Sequence, residues 1–127
     1  MLKKLYVFVG EMGSGKTTIA QEVSIRTNIP IVRTTTSRPM RENETEKDYK
    51  FVDNSHFKNN LDKFLEYKVY DTIYGKWWYG LSIDNLNEIK CEEAIVILTP
   101  SGYCDLINKC NNIETELFYI STDEAKR

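Results

Sequence analysis

A layered α/β fold, a parallel sheet flanked by helices with a second lobe inserted between its strands, is predicted by three observations. Leu5 to Val9 is a continuous apolar run that breaks into a glycine-rich turn, as expected of a strand covered on both faces. Two further apolar runs, Ala94 to Leu98 and Leu117 to Ile120, are separated by a segment with helical spacing, which makes strand and helix alternate. Between the first run and these two lies a polar, aromatic-rich stretch, about 34–90, set into a core of 1–33 and 91–127. The whole is expected to be a single domain.

Each element has its own signal. Gly10 to Gly15 is the turn, and Lys16 to about Arg26 follows as a helix with Ile19, Ala20 and Val23 on one side, ended by Asn28 and Pro30. Ile31 to Thr36 is β-branched almost throughout and reads as one strand. Residues 37–48 form a polar loop long enough to be functional. Tyr49 to Val52 reads as a short strand. A helix capped by Asp53, Asn54 or Ser55 should then carry Phe57, Leu61, Phe64 and Leu65 on one face. Glu66 to Trp78 has strand character broken at Gly75-Lys76 and reads as a hairpin. Short helices are expected at Ser82–Lys90, with Leu86 and Ile89 inward, and at 101–110.

Composition narrows the function classes. With 127 residues, 41% of them hydrophobic and 28% charged, the chain suits one ordinary globular core. A formal net charge of −2 argues against a global footprint for nucleic acid or anionic membrane. No apolar run is long enough to span a bilayer. Lys3 and Lys4 before an apolar run faintly mimic a signal peptide, but the run ends in a glycine turn and a buried strand is the better reading. Cys91, Cys104 and Cys110 are odd in number and form no CxxC, and His56 is the single histidine. That pattern argues against a disulfide framework or a zinc site, and a cytoplasmic location is expected. Cys110 falls in step with Tyr103, Leu106 and Ile107 and reads as a core residue; His56 should lie near a helix start on a partly exposed face.

Gly10-Glu-Met-Gly-Ser-Gly-Lys-Thr17 fits the pattern G-x-x-x-x-G-K-[ST], after a strand and before a helix. Glycines let successive N–H groups turn toward phosphate oxygens, and the helix aims its positive end at the same point. Gly13, Ser14, Gly15, Lys16, Thr17 and Thr18 are therefore the candidate ATP-binding residues. Lys16 would place a cation on the β- and γ-phosphates, and the Thr17 hydroxyl is a hard ligand for Mg²⁺.

A second phosphate site is suggested by Arg38 and Arg41, three residues apart around Pro39. Two guanidinium groups on a stiff segment suit a phosphate dianion, and the Tyr49 phenol can add a donor. The opposing reading is a solvated loop neutralised by Glu42, Glu44, Glu46 and Asp48, which composition alone slightly favours.

The stretch Thr34-Thr-Thr-Ser-Arg-Pro-Met-Arg41, with Glu44 and Asp48-Tyr49-Lys50-Phe51-Val52, resembles the monophosphate-binding segment of guanylate kinases (T-T-R-x-P-R-x-G-E, then D-Y-x-F-V). With the glycine loop included, the resemblance runs from Leu5 to Arg127. It implies a P-loop nucleoside-kinase fold with an inserted monophosphate-binding lobe, and phosphoryl transfer from ATP, with Mg²⁺, to GMP or dGMP. It also implies that Arg38, Arg41 and Tyr49 hold the GMP phosphate and that Thr34 touches the guanine. Glu66 would accept from guanine N1 and N2. A family Tyr-Gly has two candidates here, Tyr74-Gly75 and Tyr79-Gly80. Tyr79 is preferred because Gly80 runs straight into the next helix, which leaves Trp77 and Trp78 in an insertion as packing residues. Lys16, Arg38, Arg41 and Arg127, the last as a lid-side arginine, would be catalytic.

The chain departs from the family in three places. An expected Asp-x-Asp is Ile97-Leu98-Thr99, and the serine expected after Tyr-Gly is Leu81, with Ser82 adjacent. Ser121 to Glu124 is a capping box that announces a helix, yet Arg127 ends the chain, so the lid and last strand implied by the resemblance are expected to be missing. Two other functions stay open: a kinase for another nucleoside monophosphate, and a non-catalytic binding module like the guanylate kinase-like domains of scaffold proteins. Such a module has no need of Lys16 and Thr17. The expected partners are small-molecule nucleotides, not nucleic acid or membrane; the oligomeric state is left open.

Overall fold

The computed structural model describes residues 2–10, 15–110 and 112–121. In chain order the elements are β1 (Lys4–Val9), α1 (Lys16–Thr27), β2 (Thr34–Thr36), β3 (Tyr49–Phe51), α2 (Asn54–Asn59), β4 (Phe64–Thr72), β5 (Gly75–Ser82), α3 (Ile83–Asn87), β6 (Glu93–Leu98), α4 (Pro100–Lys109) and β7 (Glu114–Tyr119), with a 3₁₀ turn at Leu61–Lys63. The fold is α/β. Contacts divide it into two compact units, Met1–Val32 with Ile89–Arg127, and Arg33–Glu88.

In the first unit β1 lies between β6 and β7, parallel to both. Two neighbours and two covered faces explain why Leu5, Val7, Phe8 and Val9 are all buried. Among the described residues strand β7 pairs with β1 alone, and its Leu117, Phe118 and Tyr119 stay exposed. Phe118 packs its ring at 5.4 Å from Phe8. Helix α1 lays Ala20 and Val23 on Phe8 and Ile95. Ile19 does not join them: this cluster does not extend to the first turn of the helix, and Ile19 is 41% exposed. The helix ends at Asn28, whose left-handed φ of 60° lets its N–H reach the Ser24 carbonyl at 2.9 Å.

The second unit is a four-stranded sheet in the order β3-β2-β5-β4, with β2 and β3 parallel and the other pairs antiparallel. Two expectations need correction here. The β-branched run Ile31 to Thr36 is not one strand. Ile31 bridges to Ile95 in the first unit, while Thr34–Thr36 pairs with β3 and β5. Strand propensity records extended backbone but not which partner it will find. Nor is there a single helix through Phe57 and Leu65. Helix α2 stops at Asn59, Asn60 caps it by donating from Nδ2 to the His56 carbonyl at 2.7 Å, and Phe64 and Leu65 open β4. Leu61 is exposed, while Phe57 and Phe64 stack with centroids 4.5 Å apart, so apolar spacing across two elements mimicked one helix.

The hairpin β4–β5 turns at Ile73-Tyr74, with Gly75 at φ 111°. Alternation gives it two faces. One bears Tyr67, Trp78 and Gly80; Trp78 stacks between Phe57 of α2 and Tyr67. Thr35, opposite Gly80, donates to Asn85 of α3, so both helices cover this face. The other face bears Glu66, Lys68, Tyr70, Trp77, Tyr79 and Leu81. The helix contacts through Trp78 and Thr35 lie on the first face, and the second, whose Glu66 and Leu81 are themselves buried, is called the open face.

Candidate functional site

The turn after β1 delivers the first group of candidates. Gly15 holds φ 84° and starts α1 without a side-chain cap, and the first turn carries no acidic residue. Lys16 folds back, donating from Nζ to the Gly10 carbonyl at 2.6 Å. Thr17 and Thr18 stand exposed in the same turn. Gly13, Ser14 and Arg127 lie outside the described residues.

Buried polarity belongs to the second unit. Thr35, Thr36, Arg38, Glu66, Ser82 and Asn85 are the buried polar or charged residues among those described, and all fall within Arg33–Glu88. Arg38 is the least expected of them, because an unpaired buried cation costs several kcal/mol. Its partners resolve the cost. Nη1 and Nη2 donate to the two Glu44 carboxylate oxygens at 2.9 and 2.7 Å, Nε donates to the Tyr79 hydroxyl at 2.9 Å, and Nη1 also reaches the Pro39 carbonyl at 3.0 Å. The guanidinium lies 5.5 Å from the centre of the Tyr49 ring. Pairing drives the two charges in opposite directions: Arg38 is raised above its ordinary value by Glu44, and Glu44 is lowered to about 2 by Arg38 and the Arg41 amide.

A β-turn builds this fork. The Glu44 N–H donates to the Arg41 carbonyl at 3.0 Å, and the Arg41 N–H donates to Glu44 Oε1 at 2.9 Å. Arg41 itself is exposed, so the structure gathers Arg38 and Arg41 around one carboxylate without burying both. Tyr49 packs edge-on to Tyr79 at 6.1 Å, and burial pushes its phenol up. Thr34 pairs with Tyr49 across β2–β3 and shares its face. Glu66 is also buried, and its Oε2 accepts from the Leu81 N–H at 3.2 Å. Register puts Glu66, Tyr79, Thr34 and Tyr49 on the open face, with Arg38 bound to Tyr79 there.

The two Tyr-Gly pairs have different surroundings. Tyr74 is 78% exposed at the hairpin tip and stacked on Trp77, whereas Tyr79 bonds Arg38 directly. Gly80 has a packing reason as well. A Cβ there would stand 2.8 Å from the Glu66 carbonyl and 2.8 Å from Phe64 Cδ1.

Some roles were not visible in sequence. Thr99, which stands where aspartate was expected, caps α4 by accepting from the Gly102 N–H at 3.2 Å. Asn85 is fully buried, and its Oδ1 accepts from the Ser82 N–H, the Ser82 hydroxyl and the Thr35 hydroxyl. The spacing Ser82-x-x-Asn85 was the available signal, since it forms a capping box. No group of three metal-ligating side chains occurs among the described residues, and no helix there is long and apolar enough to cross a membrane.

The core is α/β with a helix that starts at a left-handed glycine, and the inserted sheet concentrates the buried polar groups among the described residues. The guanylate kinase family model matches residues 2–120, and the chain belongs to that family. Guanylate kinase from Anaplasma phagocytophilum has a similar solved structure, with a TM-score of 0.63 at 20% identity over 93% of this chain. The chain spans 60% of the length of that structure. No curated protein matches the chain.

Proposed function

We propose that the chain transfers a phosphoryl group from ATP to GMP or dGMP, giving ADP and GDP or dGDP. The observation that carries this reading is the open face of the second unit, where the buried Glu66 shares one side of the sheet with the Arg38–Tyr79 grip. A carboxylate suits the adjacent N1 and N2 donors of guanine, an edge adenine lacks. Arg38, Arg41, Tyr49 and Tyr79 suit a monophosphate. Thr34 would contact the base from β2. Lobe 33–88 is thus the acceptor lobe, and the first unit is the donor core.

On the donor side Gly13, Ser14, Gly15, Lys16, Thr17 and Thr18 would hold the triphosphate. Thr17 fits Mg²⁺: its exposed hydroxyl is a hard oxygen, and this ion commonly takes its other ligands from water and phosphate. Mg²⁺ bound there with ATP would neutralise charge on the β- and γ-phosphates. Lys16 would leave the Gly10 carbonyl for the same oxygens. No general base is needed, because the acceptor oxygen is already anionic. The residues' task is alignment and charge neutralisation, with Arg127 added from the C-terminal side.

Glu66→Gln tests the acceptor assignment. It keeps the shape but removes the charged acceptor, so the KM for GMP should rise about 10²-fold, in the range of a hydrogen bond to a charged group. The KM for AMP should be unchanged. An unaltered preference for GMP would contradict the role of Glu66.

A further inference from the structure

On the open face of the hairpin, between Glu66 and Tyr70, stands Lys68, a residue outside every motif described above. We propose that Lys68 is a further phosphate-binding residue of the acceptor site. The proposal rests on the acceptor reading given above. Lys68 lies directly opposite Tyr79 in the β4–β5 register. Opposed residues of an antiparallel pair share a face with their Cβ atoms about 5 Å apart. The Tyr79 hydroxyl is the group that accepts the Arg38 Nε hydrogen bond. A lysine stem rooted beside that ring ends in three rotatable donors and can follow a phosphate seated at the hydroxyl.

Charge gives the second reason. Arg38 is matched oxygen for nitrogen by Glu44, so this pair offers a phosphate dianion geometry but no net charge. Compensation has to come from other cations facing the grip. Arg41 is exposed on the loop, and Lys68 is half-buried on the sheet. Lys68 has no ion pair among the described residues, unlike Lys4, Lys76 and Arg33. The carboxylates nearest to it in the hairpin are engaged. Asp71 bonds Lys76 at 2.9 Å, and Glu66 is anchored on the Leu81 amide. A half-buried lysine with no ion pair among the described residues, opposite the tyrosine of the grip, is placed to receive an anionic ligand.

Equilibrium binding of GMP and of guanosine to the full chain separates this role from a merely structural one. Lys68→Met should weaken GMP about tenfold, as expected for one charge-assisted hydrogen bond, and leave guanosine unchanged. Lys68→Arg should retain most of the GMP affinity. Added salt should weaken GMP binding more in the natural chain than in K68M. Unchanged GMP affinity in K68M would overturn the proposal, as would equal loss of GMP and guanosine, which would report a damaged hairpin. A natural chain that binds neither ligand would overturn the acceptor reading and this proposal together.

Discussion

At the scale of single residues, the second unit depends on one carboxylate. Glu44 accepts both Arg38 nitrogens and the Arg41 amide, and without it a nearly fully buried guanidinium would lack its counter-ion. Glu44 is lowered from an ordinary 4.5 to about 2, so its contribution to stability is complete above pH 4.5 and is lost as the pH falls through 2. Glu44→Gln should therefore be less stable than the natural chain at neutral pH. The difference should shrink below pH 4.5 and vanish toward pH 2. Parallel acid-unfolding profiles for the two proteins would contradict the pairing. This fork also marks the limit of sequence reading. Four acidic residues surround the arginines in sequence, which made a neutralised, solvated loop credible. Which of them closes on Arg38 depends on the 41–44 turn and on Tyr79 arriving from β5, and the second is not a local property.

At the scale of elements, the central strand pairs were legible and the changes of partner were not. Leu5 to Val9 and Ala94 to Leu98 announce themselves because strands buried on both faces are apolar without alternation. The split of Ile31 to Thr36 between two sheets leaves no trace in composition. The break between α2 and β4 was hidden by Phe57 and Phe64 stacking at a spacing that also fits a helix. The hairpin was readable, and its Tyr79-Gly80 pair has a physical basis in close strand packing. Gly80→Ala would force a Cβ to within 2.8 Å of the Glu66 carbonyl. We expect a loss of about 1–3 kcal/mol in chemical denaturation, typical of overpacking. A substitution with no effect on the denaturation midpoint would show that β4 can move away at no cost.

At the scale of the whole molecule, the two units differ in what they bury. The first has the parallel sheet and a helix that starts without a side-chain cap; the second holds the buried polar residues among those described. That division was partly legible, since the inserted stretch differs visibly in composition from the apolar core runs around it. The substitution of Thr99 for an aspartate was legible as a departure, but its use as a helix cap was not, because the cap depends on where α4 begins. The most direct test is ADP release from ATP and Mg²⁺ across GMP, dGMP, AMP, CMP and UMP, with Lys16→Ala as the control. Turnover with GMP and dGMP, abolished by that substitution, is the predicted result; equal turnover with every acceptor, or none with any, would contradict guanine-directed phosphoryl transfer.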